Sequence, residues 1–180
     1  MSALVVALAG TDHHPFDRLV DWIDRAAERR PAVRFVVQHG ATKAPRVAEG
    51  HDFLTHDALR GLVAGATVVV CHGGPGTIMD AREAGHVPLC VPRDPALGEH
   101  VDGHQQRFAA LVSREGMVRH VTGQAEFELE LERALSHSRT SAAQEMAIRT
   151  RDAARAKLAA ELDGLLLAGP RRRGLLRRAS

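Results

Sequence analysis

Residues 67–71, Thr-Val-Val-Val-Cys, form an unbroken apolar and β-branched run that ends in a turn holding Gly73, Gly74 and Gly76. A strand without polar residues must be covered on both faces, which points to a parallel sheet flanked by helices. The same alternation recurs along the chain. Strands are expected at 4–9, 33–38, 67–71, 87–91 and 117–121, and helices at 15–29, 57–64, 77–84, 101–115 and 124–135. This is the pattern of an α/β, doubly wound, mostly parallel (Rossmann-like) sheet occupying residues 1–140. Ligands of such sheets sit outside the carboxyl ends of the strands, where the glycine turn falls.

The remainder reads differently. In 141–168, Met146, Ala154, Leu158, Leu162 and Leu166 lie on one stripe at helical spacing. Such a helix either packs back on its own sheet or docks a partner chain. Residues 169–180 hold five Arg and no acid, and read as a disordered basic tail. Mixed with Leu175 and Leu176, that charge suits an anionic membrane surface. With a formal net charge of +2 overall, the chain without this tail is mildly acidic.

Five Phe, one Trp and no Tyr give too few aromatics for the stacking platforms of sequence-tolerant nucleic-acid binders, so no nucleic-acid partner is expected. Cys71 and Cys90 end apolar runs and read as buried free thiols of a reducing compartment. The first nine residues lack the positive segment of a signal peptide, and no run reaches the roughly 20 apolar residues of a spanning helix. The expectation is a cytoplasmic protein that meets a membrane only from the side.

Three loops at the carboxyl edge carry candidate chemistry. In the first, His72, Gly73, Gly74, Gly76 and Thr77 let backbone approach a ligand, and free N–H groups at the helix start favour anionic oxygens such as a diphosphate. The spacing fits neither a Walker loop nor the dinucleotide fingerprint. Asp80 could accept from ribose hydroxyls, or could pair with Thr77 as a variant capping box; spacing leaves both open. The second loop, 92–106, offers Arg93 to neutralise phosphate charge, and Gln105 and Gln106 as donors and acceptors for sugar hydroxyls. His100, Asp102 and His104 alternate in a way that invites a metal, but the three are local and nothing else in the sequence completes a site, so none is expected. The third loop, 9–17, puts Gly10 and Thr11 beside the same crevice, with His13 or His14 as a candidate base or as exposed loop residues.

In this order the loops resemble the C-terminal, donor-binding domain of glycosyltransferase family 28. The motifs are Gly10-Thr11 with Pro15-Phe-Asp-Arg-Leu19, Val36-Val-Gln-His-Gly40, Cys71-His-Gly-Gly-Pro-Gly-Thr-Ile78, Val91-Pro-Arg93 and Gly98-Glu-His-Val-Asp-Gly-His-Gln105. Within the family the chain is most similar to the small subunit of split enzymes of the asparagine-linked-glycosylation and bacterial exopolysaccharide types. The resemblance implies the C-terminal half of a GT-B enzyme that transfers a sugar from a UDP-sugar to a lipid-linked acceptor with inversion, using no cofactor and no metal. It also implies a separate membrane-anchored acceptor subunit and inactivity without it, with the 141–168 helix in the contact. Without that partner, the orphaned crevice face favours self-association. By the same resemblance Asp80 binds the ribose, 73–77 hold the diphosphate, Gln105 and Gln106 touch the sugar, and His100 lies in the donor loop. The family's ribose acid is commonly glutamate, and many bacterial relatives carry His-Glu where this chain has Asp12-His13. An alternative reading is a nucleotide-sugar-binding or regulatory module without catalysis.

Overall fold

The computed structural model describes residues 3–136. The helix expected at 141–168 and the basic tail at 169–180 lie outside the described residues.

Strand β1 (Leu4–Leu8) leads into helix α1 (Asp17–Arg29), then β2 (Arg34–Gln38) and β3 (Glu49–His51). Helix α2 (His56–Gly65), β4 (Val68–Cys71), α3 (Pro75–Glu83) and β5 (Leu89–Cys90) follow, and α4 (His104–Arg114), β6 (Arg119–His120) and α5 (Gln124–Ser136) complete the described chain. All strand pairings are parallel, in the order β3-β2-β1-β4-β5-β6. The doubly wound sheet expected from the sequence is the one observed.

Alternation along the strands assigns the helices to faces. Val5 and Ala7 of β1 and Val68 and Val70 of β4 pack with Leu19, Val20 and Ile23 of α1 and with Phe127 and Leu131 of α5. Val6, Leu8 and Val69 point the other way, toward Val63 of α2 and Ala81 of α3. Cys71, Ile78, Cys90 and Ala109 extend that second face under α3 and α4. Cys71 and Cys90 are register partners and buried free thiols. Their mutual contact, with burial, pushes the Cys90 thiol up.

Helix α1 shows how a sequence stripe becomes structure. Its apolar residues fall three and four apart and are buried, and Trp22 meets Phe127 of α5 at a ring separation of 5.7 Å. Asp24 is buried in the same helix because it accepts from the backbone amides of Arg46, Val47 and Ala48 at 2.7, 3.1 and 3.1 Å. That contact holds the segment entering β3, an element absent from the sequence-based expectation. Glu-Gly-His has no apolar pattern, and this edge strand exists through pairing with β2.

Two of the shifted helix starts have a visible local cause. Helix α3 begins at Pro75 with Gly74 as its N-cap, since proline suits the first helical position. Thr77 therefore sits inside the first turn, and the capping-box reading of Thr77 and Asp80 does not hold. Helix α4 begins at His104, not 101, because Gly98 turns left-handed at φ +71° and Asp102 Oδ1 captures the His104 amide at 2.8 Å. Among the described residues, no helix is long and apolar enough to cross a membrane.

Candidate functional site

The strand order reverses between β1 and β4, so their following loops diverge and open a crevice at the carboxyl edge. Gly10 closes β1 with φ +88° and Gly73 closes β4 with φ +93°, a region that L side chains rarely adopt. The His72 ring lies between the two turns. A Cβ on Gly10 would stand 2.7 Å from that ring, and a Cβ on Gly74 would overlap its Nε2. The ring Nδ1–H points to the Leu8 carbonyl at 3.3 Å. Burial pulls the His72 pKa down to about 4, against the opposing pull of that carbonyl, and the imidazole is neutral at neutral pH.

Helix α3 starts directly beyond this packed turn. Gly76 and Thr77 occupy its first turn, where backbone N–H groups have no partner within the helix. No described residue crowds Gly76, which is exposed. Asp80 is half-buried three residues past Thr77, hence on the same side of the helix. The structure thus brings Gly10, His72, Gly73, Gly74, Gly76, Thr77 and Asp80 to one place; Thr11 is exposed on the rim of the β1 loop.

Arg93 behaves otherwise than expected. Its side chain is fully buried and its guanidinium is already engaged: Nη1 donates to the His14 carbonyl at 2.6 Å and the Glu99 carbonyl at 2.9 Å, and Nη2 to the Ala9 carbonyl at 2.8 Å. It also lies 4.9 Å over the Phe16 ring. Direct contact with a phosphate is therefore replaced by a structural task, holding the β1 loop against the β5 loop. Sequence shows a charge but not its burial.

A second staple was not legible in the sequence. Arg18 of α1 grips Glu99 of the β5 loop through Nε–Oε1 at 2.9 Å and Nη2–Oε2 at 2.7 Å, while Nη2 also donates to the Pro92 carbonyl. Glu99 is buried and accepts from the Asp94 amide as well. Behind this loop, buried Gln105 lies next to Gly73, with its Oε1 3.4 Å from the Arg93 amide. Gln106 is turned elsewhere, lining a 260 Å³ cavity with Arg18, Asp94 and His120.

The motif at the end of β2 holds the β3–α2 loop. Gln38 accepts from the Leu54 amide, the His39 Nε2 lies 3.0 Å from Asp52, and Gly40, at φ +59°, packs so closely on Gly10 that a Cβ would stand 2.7 Å from its carbonyl oxygen. The arrangement carries Phe53 to the β1–β2 side of the carboxyl edge, its ring against Gly40. Phe53 is 61% exposed in a chain whose Phe16, Phe35 and Phe127 are buried. The sequence reading missed Phe53 because it missed β3; an aromatic directly after the polar pair His51-Asp52 was the available signal.

Around the mouth, the β1 and β5 loops bring histidines together. Asp12 Oδ1 accepts from the His14 amide and ring Nδ1 at 2.7 and 2.6 Å, and Asp12 Oδ2 lies 3.4 Å from His100 Nε2. Desolvation works against the Asp12 charge, but the two His14 bonds and the nearby Arg93 hold its pKa down to about 2. His13 is the outermost, with its side chain 85% exposed and its ring stacked on His14. His100 also meets His104, which is bonded to Asp102 at 2.6 Å. Asp12 and His14 of the β1 loop lie against the His100, Asp102 and His104 group, with the His14 and His100 ring centroids 5.8 Å apart.

A family model for the glycosyltransferase family 28 C-terminal domain matches residues 8–162. The chain belongs to this family. The solved structures similar to it share its fold. The kitacinnamycin glycotransferase superposes with a TM-score of 0.64 at 19% identity, covering 86% of this chain and 40% of its own. The calicheamicin glycosyltransferase CalG4 gives 0.63 at 18%, covering 94% and 45%. VinC, solved in complex with dTDP, gives 0.56 at 20%, covering 84% and 38%. The family 28 domain described here thus spans less than half the length of these GT-B enzymes, matching their C-terminal half. Comparison with curated proteins by sequence finds no match.

Proposed function

We propose that this family 28 domain is the donor-binding part of an inverting glycosyltransferase that moves a sugar from a UDP-sugar to a lipid-linked acceptor, in complex with a separate membrane-attached chain supplying the acceptor half. The observation that carries the donor reading is the His72 ring locked between the glycine turns of β1 and β4, next to the free first-turn amides of α3. A diphosphate placed there meets N–H donors and the positive end of the helix. Asp80, on the same flank, accepts from the ribose, and the exposed Phe53 ring offers a face for the base. VinC, of the same fold, was solved with a pyrimidine nucleoside diphosphate, which supports the choice of base.

In the transfer, a base deprotonates the acceptor hydroxyl, whose oxygen attacks the anomeric carbon as the bond to the diphosphate breaks. The proton stays on the base and the electron pair leaves with UDP. This chain's contribution is to the leaving group: first-turn amides of α3 stabilise the developing diphosphate charge. Arg93 acts on it only through its field and through the loops it holds. Leu97 and Val101 are exposed on the β5 loop at 61% and 74%, an apolar rim that suits a covering partner half. The transfer reading needs no metal or cofactor, and the complex works on the membrane's cytoplasmic face.

Calorimetric titration with UDP, dTDP, ADP and GDP tests the donor site, alone and with Asp80→Ala. Pyrimidine-selective binding that weakens in the variant is expected. Equal affinity for all four, or binding indifferent to Asp80→Ala, would count against the assignment.

A further inference from the structure

We propose that Asp12, His14 and His100 form a site for a divalent transition cation of the zinc class, tying the β1 loop to the β5 loop at the mouth of the crevice. Neither loop alone supplies this set, and the fold brings the parts together. Imidazole and carboxylate ligands are the chemistry of zinc and its neighbours.

Two spacings bear on the ion, one from each oxygen of Asp12, and the His14 and His100 ring centroids stand 5.8 Å apart. Ligand atoms about 2.05 Å from a tetrahedral zinc lie about 3.3 Å from one another. Asp12 Oδ2 and His100 Nε2 are 3.4 Å apart, long for a hydrogen bond and right for one edge of such a tetrahedron. Asp12 Oδ1 and His14 Nδ1, at 2.6 Å, share a proton that the cation would displace, and that edge opens by about 0.7 Å as it does so. Metal on His100 Nε2 puts the ring proton on Nδ1, which gives up the long 3.4 Å contact from the Asp102 amide. Asp12 turns one oxygen toward each histidine and binds through both, and His104, its ring 4.6 Å from that of His100, or a water completes the shell.

The ligands are also placed in advance. Arg93 donates to the carbonyls of both His14 and Glu99, so one buried guanidinium fixes the backbone beside two of the three. Its charge opposes any cation nearby. That opposition disfavours a hard ion such as magnesium, held mainly by charge, and leaves one held by imidazole nitrogen. The Asp12, His14 and His100 side chains are 26%, 23% and 11% exposed, so an ion can enter from solvent. The role is structural, fixing the mouth of the crevice, and separate from the transfer chemistry.

The test uses the full chain without nucleotide, titrated calorimetrically at about pH 7.5 with zinc chloride, and in parallel with magnesium chloride. Expected are one zinc per chain, no magnesium binding, and a loss of about 10- to 100-fold in affinity in both H14A and H100A. His56→Ala, at the exposed start of α2, should bind like wild type. No zinc binding by the wild-type chain overturns the proposal. So does loss in only one of H14A and H100A, the mark of a site local to one loop. Circular dichroism and urea denaturation without zinc check that the variants fold, and Asp12→Asn, which keeps shape, must also weaken binding.

Discussion

Arg18 and Glu99, 81 residues apart in sequence, meet as a two-point ion pair that locks α1 to the loop after β5. The carboxylate is buried and the guanidinium nearly so, with side-chain exposures of 5% and 19%. The guanidinium also lies 5.0 Å over the Trp22 ring. The pair connects a core helix to the β5 loop, and its loss should be felt in both.

Removing one partner of a buried pair leaves the other uncompensated, at about 3–5 kcal/mol. Glu99→Ala should therefore lower stability by about 3 kcal/mol, read from urea denaturation, since it also strands the Asp94 amide. Arg18→Ala should cost a similar amount, and the double variant less than the sum. Full additivity would show that the two act separately.

Gly74 and His72 allow a sharper test of the crevice wall. The Gly74 backbone, at φ −71°, accepts any residue, so the His72 ring is what opposes a side chain there. Gly74→Ala should destabilise by about 1–3 kcal/mol through overpacking. In a His72→Ala background the same change should be nearly neutral. Gly10→Ala should not be rescued in that way, because its φ of +88° is strained whatever the space. Denaturation midpoints of the five single and double variants decide it.

Much of this architecture was legible because the strands are continuous apolar runs and α1 carries a clean helical stripe. The glycine turn after β4 also pointed to the crevice at the carboxyl edge. What was hidden depended on tertiary contact. Strand β3 forms from Glu49-Gly-His51 only because Asp24 anchors its approach and β2 offers an edge. Arg93 reads as a phosphate ligand in sequence and proves to be a buried clamp, since burial is a property of the fold. The meeting of Asp12 with His100 has no local signature at all.

His72 gives the fold a specific pH dependence. Its pKa falls from 6.5 to about 4 on folding, chiefly through burial. Between those values the unfolded chain binds a proton that the native state refuses, so this contribution is intact above pH 6.5 and declines as pH falls toward 4. His72→Gln should remove that component. Its urea midpoint, relative to wild type, should rise steadily as pH is lowered across this window; a constant difference between the two would show that His72 is protonated in the native state.

The proposed seat for the base on Phe53 can be tested directly. This residue is the exposed phenylalanine at the carboxyl edge, held there by the Gln38 and His39 contacts to the β3–α2 loop. Truncating an exposed ring takes little from the core, so Phe53→Ala should leave stability within about 0.5 kcal/mol of wild type. Stacking against a base is worth about 1–3 kcal/mol, which predicts a loss of UDP affinity of about 5- to 150-fold. Inorganic pyrophosphate, which has no base, should bind wild type and variant alike. A parallel loss for both ligands would mean that the ring supports the diphosphate turn through Gly40 and Gly10. Unchanged UDP affinity would place the base elsewhere along the carboxyl edge.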